Sequence, residues 1–386
     1  MSKMNSQPSQ LQKLIELATL TGELSVEAIG RIIPKESYRN KVLSQLKKDK
    51  RLNHVNKNGL KGYRSTGKSK KILLEENPAR FEHCLSGAAE TLKVSYEFTR
   101  RKRLHEIGDA LVTMHNAGVE IFTDRKPLLF SQPPQSLETT EEQLQIHKPI
   151  FYTSREIKTT DLRWNNIRGS SFVGTLLGAN GTWIVYNTGN APMEWRFKIE
   201  AIVKYEMQSY LNSKLLPEHY NESNTSGLML GSCMEPLKRY LAESIGKGDG
   251  FDFLVNYYRS FYYISNTRHG EIQLKFLTDQ SRRDVLMNAV LKGAKPHDPM
   301  VTIDNDGFAP DNRPILVCFL IDIPRLFRFQ TGLKAKDIHG IIICFDYQEE
   351  FIQSCFGDRV EIKTVEYDKF LRSFYPNEVV TTTDAQ

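Results

Sequence analysis

Apolar positions over the first 76 residues fall into three helical stripes followed by a hairpin. Leu11, Leu14, Ile15, Leu17 and Ala18 mark a short amphipathic helix; Ser25 with Glu27 and Ala28 starts a second that ends before Pro34. A third begins near Glu36. On it Val42, Leu43 and Leu46 share one face, while Ser37, Asn40, Lys41, Ser44 and Lys48 share the other. One face packs and the other is left for a partner. Leu52 to Tyr63 carries strand-like residues around Asn58-Gly59, a strong short-range hairpin signal. Thr66 then caps a helix running to Leu74. This order predicts a winged helix-turn-helix domain over residues 1–76, whose first eight residues are a disordered polar stretch.

The remainder reads as α/β. Pro78 suits the first turn of a helical region reaching Phe98, and Leu104, Ile107, Leu111 and Met114 define a clearer helix closed by Gly118, so residues 77–118 are connecting helices. A body follows over 119–376, then a disordered tail at 377–386. Within the body, residues 131–146 form a Gln, Pro, Ser and Glu-rich loop. Pro149 to Lys158 reads as a strand, and Ser171 to Leu177 with Thr182 to Tyr186 as a pair around Asn180-Gly181. Trp195 to Leu215 reads as a long helix, Gly227 to Gly231 as a strand entering a helix near Glu235. LVNYYRSFYYISN and GEIQLKFL read as strands around Arg268-His269-Gly270. PILVCFLID, GIIICFD and RVEIKTVE are apolar runs of strand length separated by helix-like segments, which implies a mixed, partly parallel sheet covered on two sides. The fold class is α/β (α+β), of which a restriction-endonuclease-like core is one form.

Charge sharpens this division. Residues 1–72 hold 16 Lys or Arg against 5 Asp or Glu, a net of +11, so with +6 for the whole chain the rest carries −5. A polyanion-binding module joined to an acidic body is the expected reading. Solvated lysines on a protein-interaction domain would also be basic. The helix order, the Gly-turned hairpin and one sign of charge on both together favour double-stranded DNA. Ser37, Asn40, Lys41 and Ser44 are then expected at base edges, with Lys48, Lys57, Lys61 and Arg64 at phosphates. So small a module makes few contacts, and a homodimer or a second site is expected to complete specific binding. No amphipathic helix with a broad apolar face, no apolar run of about 18 residues and no charged-then-apolar leader is found, which predicts a cytoplasmic chain that does not use membranes. Five well-separated cysteines without a CxxC pair predict buried reduced thiols and no structural zinc.

With the basic module, the helix RKRLHEIGDALVTMHNAGVE and the α/β body after it in view, the chain resembles the replication-relaxation proteins of Gram-positive plasmids and integrative elements. The resemblance is best over about residues 10–125 and fainter through FYTSREIKTT and IRGSSFVGTLL. It implies a DNA-binding protein of a mobile genetic element, acting in replication, conjugative transfer or their control alongside other replication or transfer proteins.

Two further chemistries are legible. Glu156-Ile157-Lys158 is an ExK on a predicted strand, where period two puts Glu156 and Lys158 on one face, with Asp124 one strand earlier and Glu106 on the preceding helix. Two acids holding Mg²⁺ or Mn²⁺ and a Lys beside the attacking water would make a DNA nickase; the bland equivalent is a cross-strand salt bridge. Asp322 and Asp346 end their strands, where open α/β sheets bind ligands, as a ligand-sensing transcriptional regulator would require. Relaxase chemistry lacks its histidine cluster, and the aromatic run Tyr257 to Tyr263 is expected in the core. The run Asp304 to Gly307 lacks the spacing and terminal Glu of a calcium loop.

Overall fold

A computed structural model describes residues 9–379 apart from 86–96, 131–145, 159–169, 180, 192, 194, 215–221, 243–256 and 298–302. The loop expected at 131–146, the Asn180 side of one turn, the end of the helical region before Phe98 and both ends for which disorder was expected therefore lie largely or wholly outside the described residues. The chain is mixed α/β, with parallel and antiparallel strands. It divides into two compact units, the first comprising 1–164, 173–177 and 266–271, the second the rest.

The first unit opens with α1 (Gln10–Thr21), β1 (Leu24–Ser25), α2 (Val26–Ile32), α3 (Glu36–Lys48), β2 (Leu52–Lys57) and β3 (Leu60–Ser65). Side chains start these helices as the sequence implies. Ser9, Ser25 and Thr66 hydroxyls accept from backbone N–H groups three residues on, satisfying donors that a helix start leaves bare. The strands form an antiparallel sheet in the order β1-β3-β2. Asn58 and Gly59 both have positive φ, 54° and 79°, so the hairpin closes on two left-handed residues, the turn that matches strand twist. Then come α4 (Gly67–Glu76), α5 (Pro78–Leu85), α6 (Phe98–Asn116), β4 (Ile150–Thr153), α7 (Ser154–Lys158) and β5 (Phe172–Gly178), β4 pairing antiparallel with β5. The helix α6 packs on α1, β1 and α2, so the expected connecting helix is part of the N-terminal core. Leu14, Leu17, Leu24, Leu46, Ala110 and Met114 are fully or almost fully buried there. Each leucine so buried contributes about 1.5–3 kcal/mol.

The second unit contains β6 (Gly181–Gly189), α8 (Phe197–Lys214), β7 (Thr225–Gly231), α9 (Glu235–Ala242), β8 (Phe261–Ser265), α10 (Arg268–Leu277) from Ile272 on, and α11 (Gln280–Val290). It continues with β9 (Gly307–Phe308), β10 (Pro314–Val317), β11 (Ile321–Asp322), α12 (Ile323–Lys336), β12 (Gly340–Phe345), α13 (Glu349–Phe356), β13 (Val360–Val365) and α14 (Tyr367–Phe374). Parallel pairs β6–β7 and β7–β8 are followed by the antiparallel β8–β11 pair, and a second sheet runs β13-β12-β10-β9 with its first three strands parallel. Two expectations change. GEIQLKFL is helical, within α10: the Thr267 hydroxyl accepts from Gly270 N at the helix start, and burial covers Glu271 to Leu274 in succession with Phe276 and Leu277, where a half-buried strand would bury every second residue. PILVCFLID is two strands in different sheets, since β10 pairs with β9 and β12 whereas β11 pairs with β8. Phe319, at the break, has its carbonyl bonded by Gln273 Nε2 at 2.8 Å and Gln348 Nε2 at 3.4 Å, which replaces the lost ladder.

Candidate functional site

The helix α3 divides as its pattern requires. Val42, Leu43 and Leu46 are buried, and Ser37, Asn40, Lys41, Ser44 and Lys48 are all exposed, as are Lys57 and Lys61 on the hairpin. Seven of the eight residues expected to meet DNA thus face solvent. Arg64 does not. It is buried, its Nε and Nη2 lying 2.8 and 2.7 Å from Glu23 Oε2, so it holds the hairpin in place and cannot serve as a phosphate contact.

Glu23 is the centre of a buried network that sequence reasoning missed. Its side chain is 0% exposed, and its carboxylate also accepts from Arg101 Nη2 at 2.6 Å and pairs with His105 Nε2 at 2.8 Å. Arg101, 1% exposed, reaches further and donates to the carbonyls of Lys57 (2.9 Å), Leu60 (3.1 Å) and Val55 (3.4 Å). A residue of α6 thereby ties down both strands next to the hairpin turn. Gly62 is required at this crossing, because a Cβ there would collide with Glu23 Oε1 and His105 Nε2. Burial alone would raise the Glu23 carboxyl, but the bonds from His105, Arg101 and Arg64 bring it down to about 2. Glu23, Arg64 and the Arg101–His105 pair lie far apart in the chain and leave no local signature.

The proposed ExK motif takes a different form. The strand β4 ends at Thr153 and α7 begins at Ser154, so Glu156 and Lys158 lie on a helix, about 200° apart around its axis, rather than on one face of a strand. A capping box causes this. Thr153 Oγ1 accepts from Glu156 N at 3.2 Å and Glu156 Oε2 accepts from Thr153 N at 2.7 Å, an arrangement written in the sequence as Thr153-Ser154-Arg155-Glu156. The side chain of Lys158 lies outside the described residues.

Asp124 and Glu156 nevertheless line one cavity of about 730 Å³, with His83, Thr123, Lys126, Phe130 and Tyr152 among its walls. All four carboxylate oxygens are engaged. Asp124 accepts from Arg80 Nε and Nη2, both at 2.8 Å, and from Asn77 at 3.1 Å. Glu156 Oε1 takes Lys126 Nζ at 2.7 Å, and Oε2 takes Thr153 N and Oγ1. Lys126 spends its other donors on the carbonyls of Ile121 and Phe151, at 3.1 and 2.8 Å. Burial drives the Lys126 ammonium down; burial would raise Glu156, yet Lys126 beside it holds that carboxyl below its ordinary range. Only folding places the Ile121 and Phe151 carbonyls and the Glu156 carboxylate around Lys126. Glu106 pairs with Arg103 at 3.5 Å.

In the second unit, Asp322 precedes α12 and is buried, its Oδ1 accepting from Phe261 N at 3.1 Å. Asp346 Oδ1 accepts from Tyr347 N at 2.8 Å. Asp304 and Asp306 are occupied by Arg325 and Arg328 at 2.9–3.2 Å. Among the described residues no group of His, Cys, Asp and Glu is placed to hold a metal, and no helix is long and apolar enough to cross a membrane. The five cysteines are free thiols, Cys233 exposed and Cys355 half-buried where burial was expected. Tyr258, Phe261 and Tyr263 are core residues, whereas Tyr257 is exposed. Compared with known proteins, the chain matches no family model, no curated protein and no solved structure.

Proposed function

We propose that the chain binds double-stranded DNA through a winged helix-turn-helix module, with α3 in the major groove and the β2–β3 hairpin along the backbone. The observation that carries this reading is the division of α3 into a buried apolar face and an exposed face of Ser37, Asn40, Lys41, Ser44 and Lys48, continued by Lys57 and Lys61. The element order α1-β1-α2-α3-β2-β3 and the sheet order β1-β3-β2 support it, as does the net +11 of residues 1–72. Extending the resemblance, the role is in replication or transfer of a mobile element, or in their control. Both acids of the nuclease alternative are engaged by neighbouring side chains, so binding without cleavage is the simpler reading. Incubation with supercoiled and linear DNA and Mg²⁺ or Mn²⁺ separates the two, since nicking that Glu156→Gln abolishes would restore the nuclease.

Affinity for DNA is expected to fall steeply with salt, by roughly 0.9 log units per log unit of salt for each phosphate neutralised. Lys57→Ala with Lys61→Ala should weaken all sequences about equally and flatten that slope by about 2. Lys41→Ala with Ser44→Ala should instead lose discrimination between sites, by about 1–3 kcal/mol per base contact removed. Competition binding with point variants of the whole chain reads both effects. Because α6 packs on α1 and α2, truncation after residue 76 would remove part of the core. Unchanged affinity and salt slope in the Lys57/Lys61 variant would refute the interface.

A further inference from the structure

One cavity of the second unit is lined by residues carrying buried polar atoms that have no hydrogen-bond partner among the described residues. The helix α11 presents Gln280, Arg283 and Met287 at spacings of three and four residues to a space of about 180 Å³, whose apolar walls include Phe276, Val317 and Phe319. Asp322 lines it too. That residue is 5% exposed; Phe261 N and the Ser260 hydroxyl bond its carboxylate and the Arg325 and Arg328 cations lie near it, yet Oδ2 is buried with no hydrogen-bond partner at normal geometry. Arg283 Nε is likewise buried without an acceptor; its Nη2 donates to Gln280 Oε1, and it forms no ion pair among the described residues. Arg325, by contrast, is committed to Asp304 and Asp306 at 3.2 and 2.9 Å. Tyr262, Arg283, Asp322 and Arg325 line this one cavity together.

Buried polar groups without partners are costly, and a space large enough for a guest beside them is where that cost is relieved. An acceptor and an uncompensated guanidinium next to apolar walls select a guest with three parts. We propose that this cavity binds a small organic acid with a hydrogen-bond donor next to its carboxylate and a short aliphatic group, the chemistry shared by aliphatic α-amino acids and 2-hydroxy acids. The carboxylate meets Arg283, the amino or hydroxyl group donates to Asp322 Oδ2, and the aliphatic group lies against Phe276, Val317 and Phe319. Size agrees. A cavity of about 150 Å³ takes benzene, so this one holds roughly six to nine non-hydrogen atoms, the range of valine and leucine. The inference does not depend on DNA binding.

Titration calorimetry of the full chain with leucine, leucic acid, isocaproic acid and isopentylamine tests it. Leucine or leucic acid should bind, and isocaproic acid and isopentylamine, each missing one polar group, should bind roughly tenfold more weakly or worse. Arg283→Gln, at a half-buried position with no ion pair among the described residues, should lose about the same factor with its melting midpoint unchanged. Asp322→Asn, which keeps the acceptor for Phe261 N, should move preference from leucine toward leucic acid. Absence of binding by all four compounds at about 10 mM, equal binding of the single-group compounds, or full affinity in Arg283→Gln would each overturn the proposal.

Discussion

Glu23→Gln is expected to destabilise the N-terminal unit by about 3–5 kcal/mol, the cost of leaving buried cations without their carboxylate. The amide cannot neutralise Arg64 and Arg101, whose side chains lie 2.7 Å and 2.6 Å from the native carboxylate and are only 8% and 1% exposed. Urea unfolding followed through hydrogen exchange of the β2 and β3 amides is the direct measurement. Those amides should exchange much faster in the variant, because Arg101 holds the Val55, Lys57 and Leu60 carbonyls only while Glu23 orients it. A change below about 1 kcal/mol would show the network to be no more than a surface ion pair in its energetics. The pH dependence has a definite sign. The folded carboxyl ionises near 2 and its ordinary value is 4.5, so the wild-type advantage is complete above about pH 4.5 and is lost as pH falls toward 2. Since Lys57 and Lys61 ride on this hairpin, Arg101→Gln should also weaken DNA binding at temperatures where the rest of the unit remains folded.

Lys126→Met is expected to cost a similar 3–5 kcal/mol, since it strands the buried Glu156 carboxylate and two carbonyls together. Combining it with Glu156→Leu should recover part of that loss. A buried pair is often replaceable by apolar side chains, but here the Ile121 and Phe151 carbonyls still lose their donor, at about 1 kcal/mol each. A double-mutant cycle on thermal or urea unfolding reads the coupling, expected between about 0.5 and 3 kcal/mol. Additive losses would mean that Lys126 acts through the carbonyls alone, and that Glu156 is free to do something else. The cycle therefore bears on chemistry as well as stability. Strong coupling keeps Glu156 in a structural role, whereas weak coupling would return it to the list of metal ligands.

Local pattern determined a good deal of this protein. The period of Val42, Leu43 and Leu46 placed one face of α3 inward, and the polar face followed without further information. Asn58-Gly59 specified its turn because few other residue pairs accept positive φ twice in succession. Apolar runs such as GIIICFD became parallel strands because they are apolar on both faces. These features depend on neighbours a few residues apart, which a linear reading sees. Some local signals were present and misread, as with Thr153-Ser154-Arg155-Glu156, where a capping box outweighed strand-like alternation and carried Glu156 into a helix.

Tertiary structure alone decided the fate of the charges. Arg64 looked like its basic neighbours until Glu23, 41 residues earlier, claimed it. Arg101 sits in a run of cations, Arg100 to Arg103, of which the fold buries one at the hairpin and leaves Arg100 and Lys102 exposed. Lys126 and Glu156 met through a turn and a helix start 30 residues apart, and PILVCFLID was divided between two sheets. Hydrophobic period tells which way a side chain points from its own element. Whether a charge meets water or a buried partner depends on what the rest of the chain brings to that point, and no local pattern carries that information.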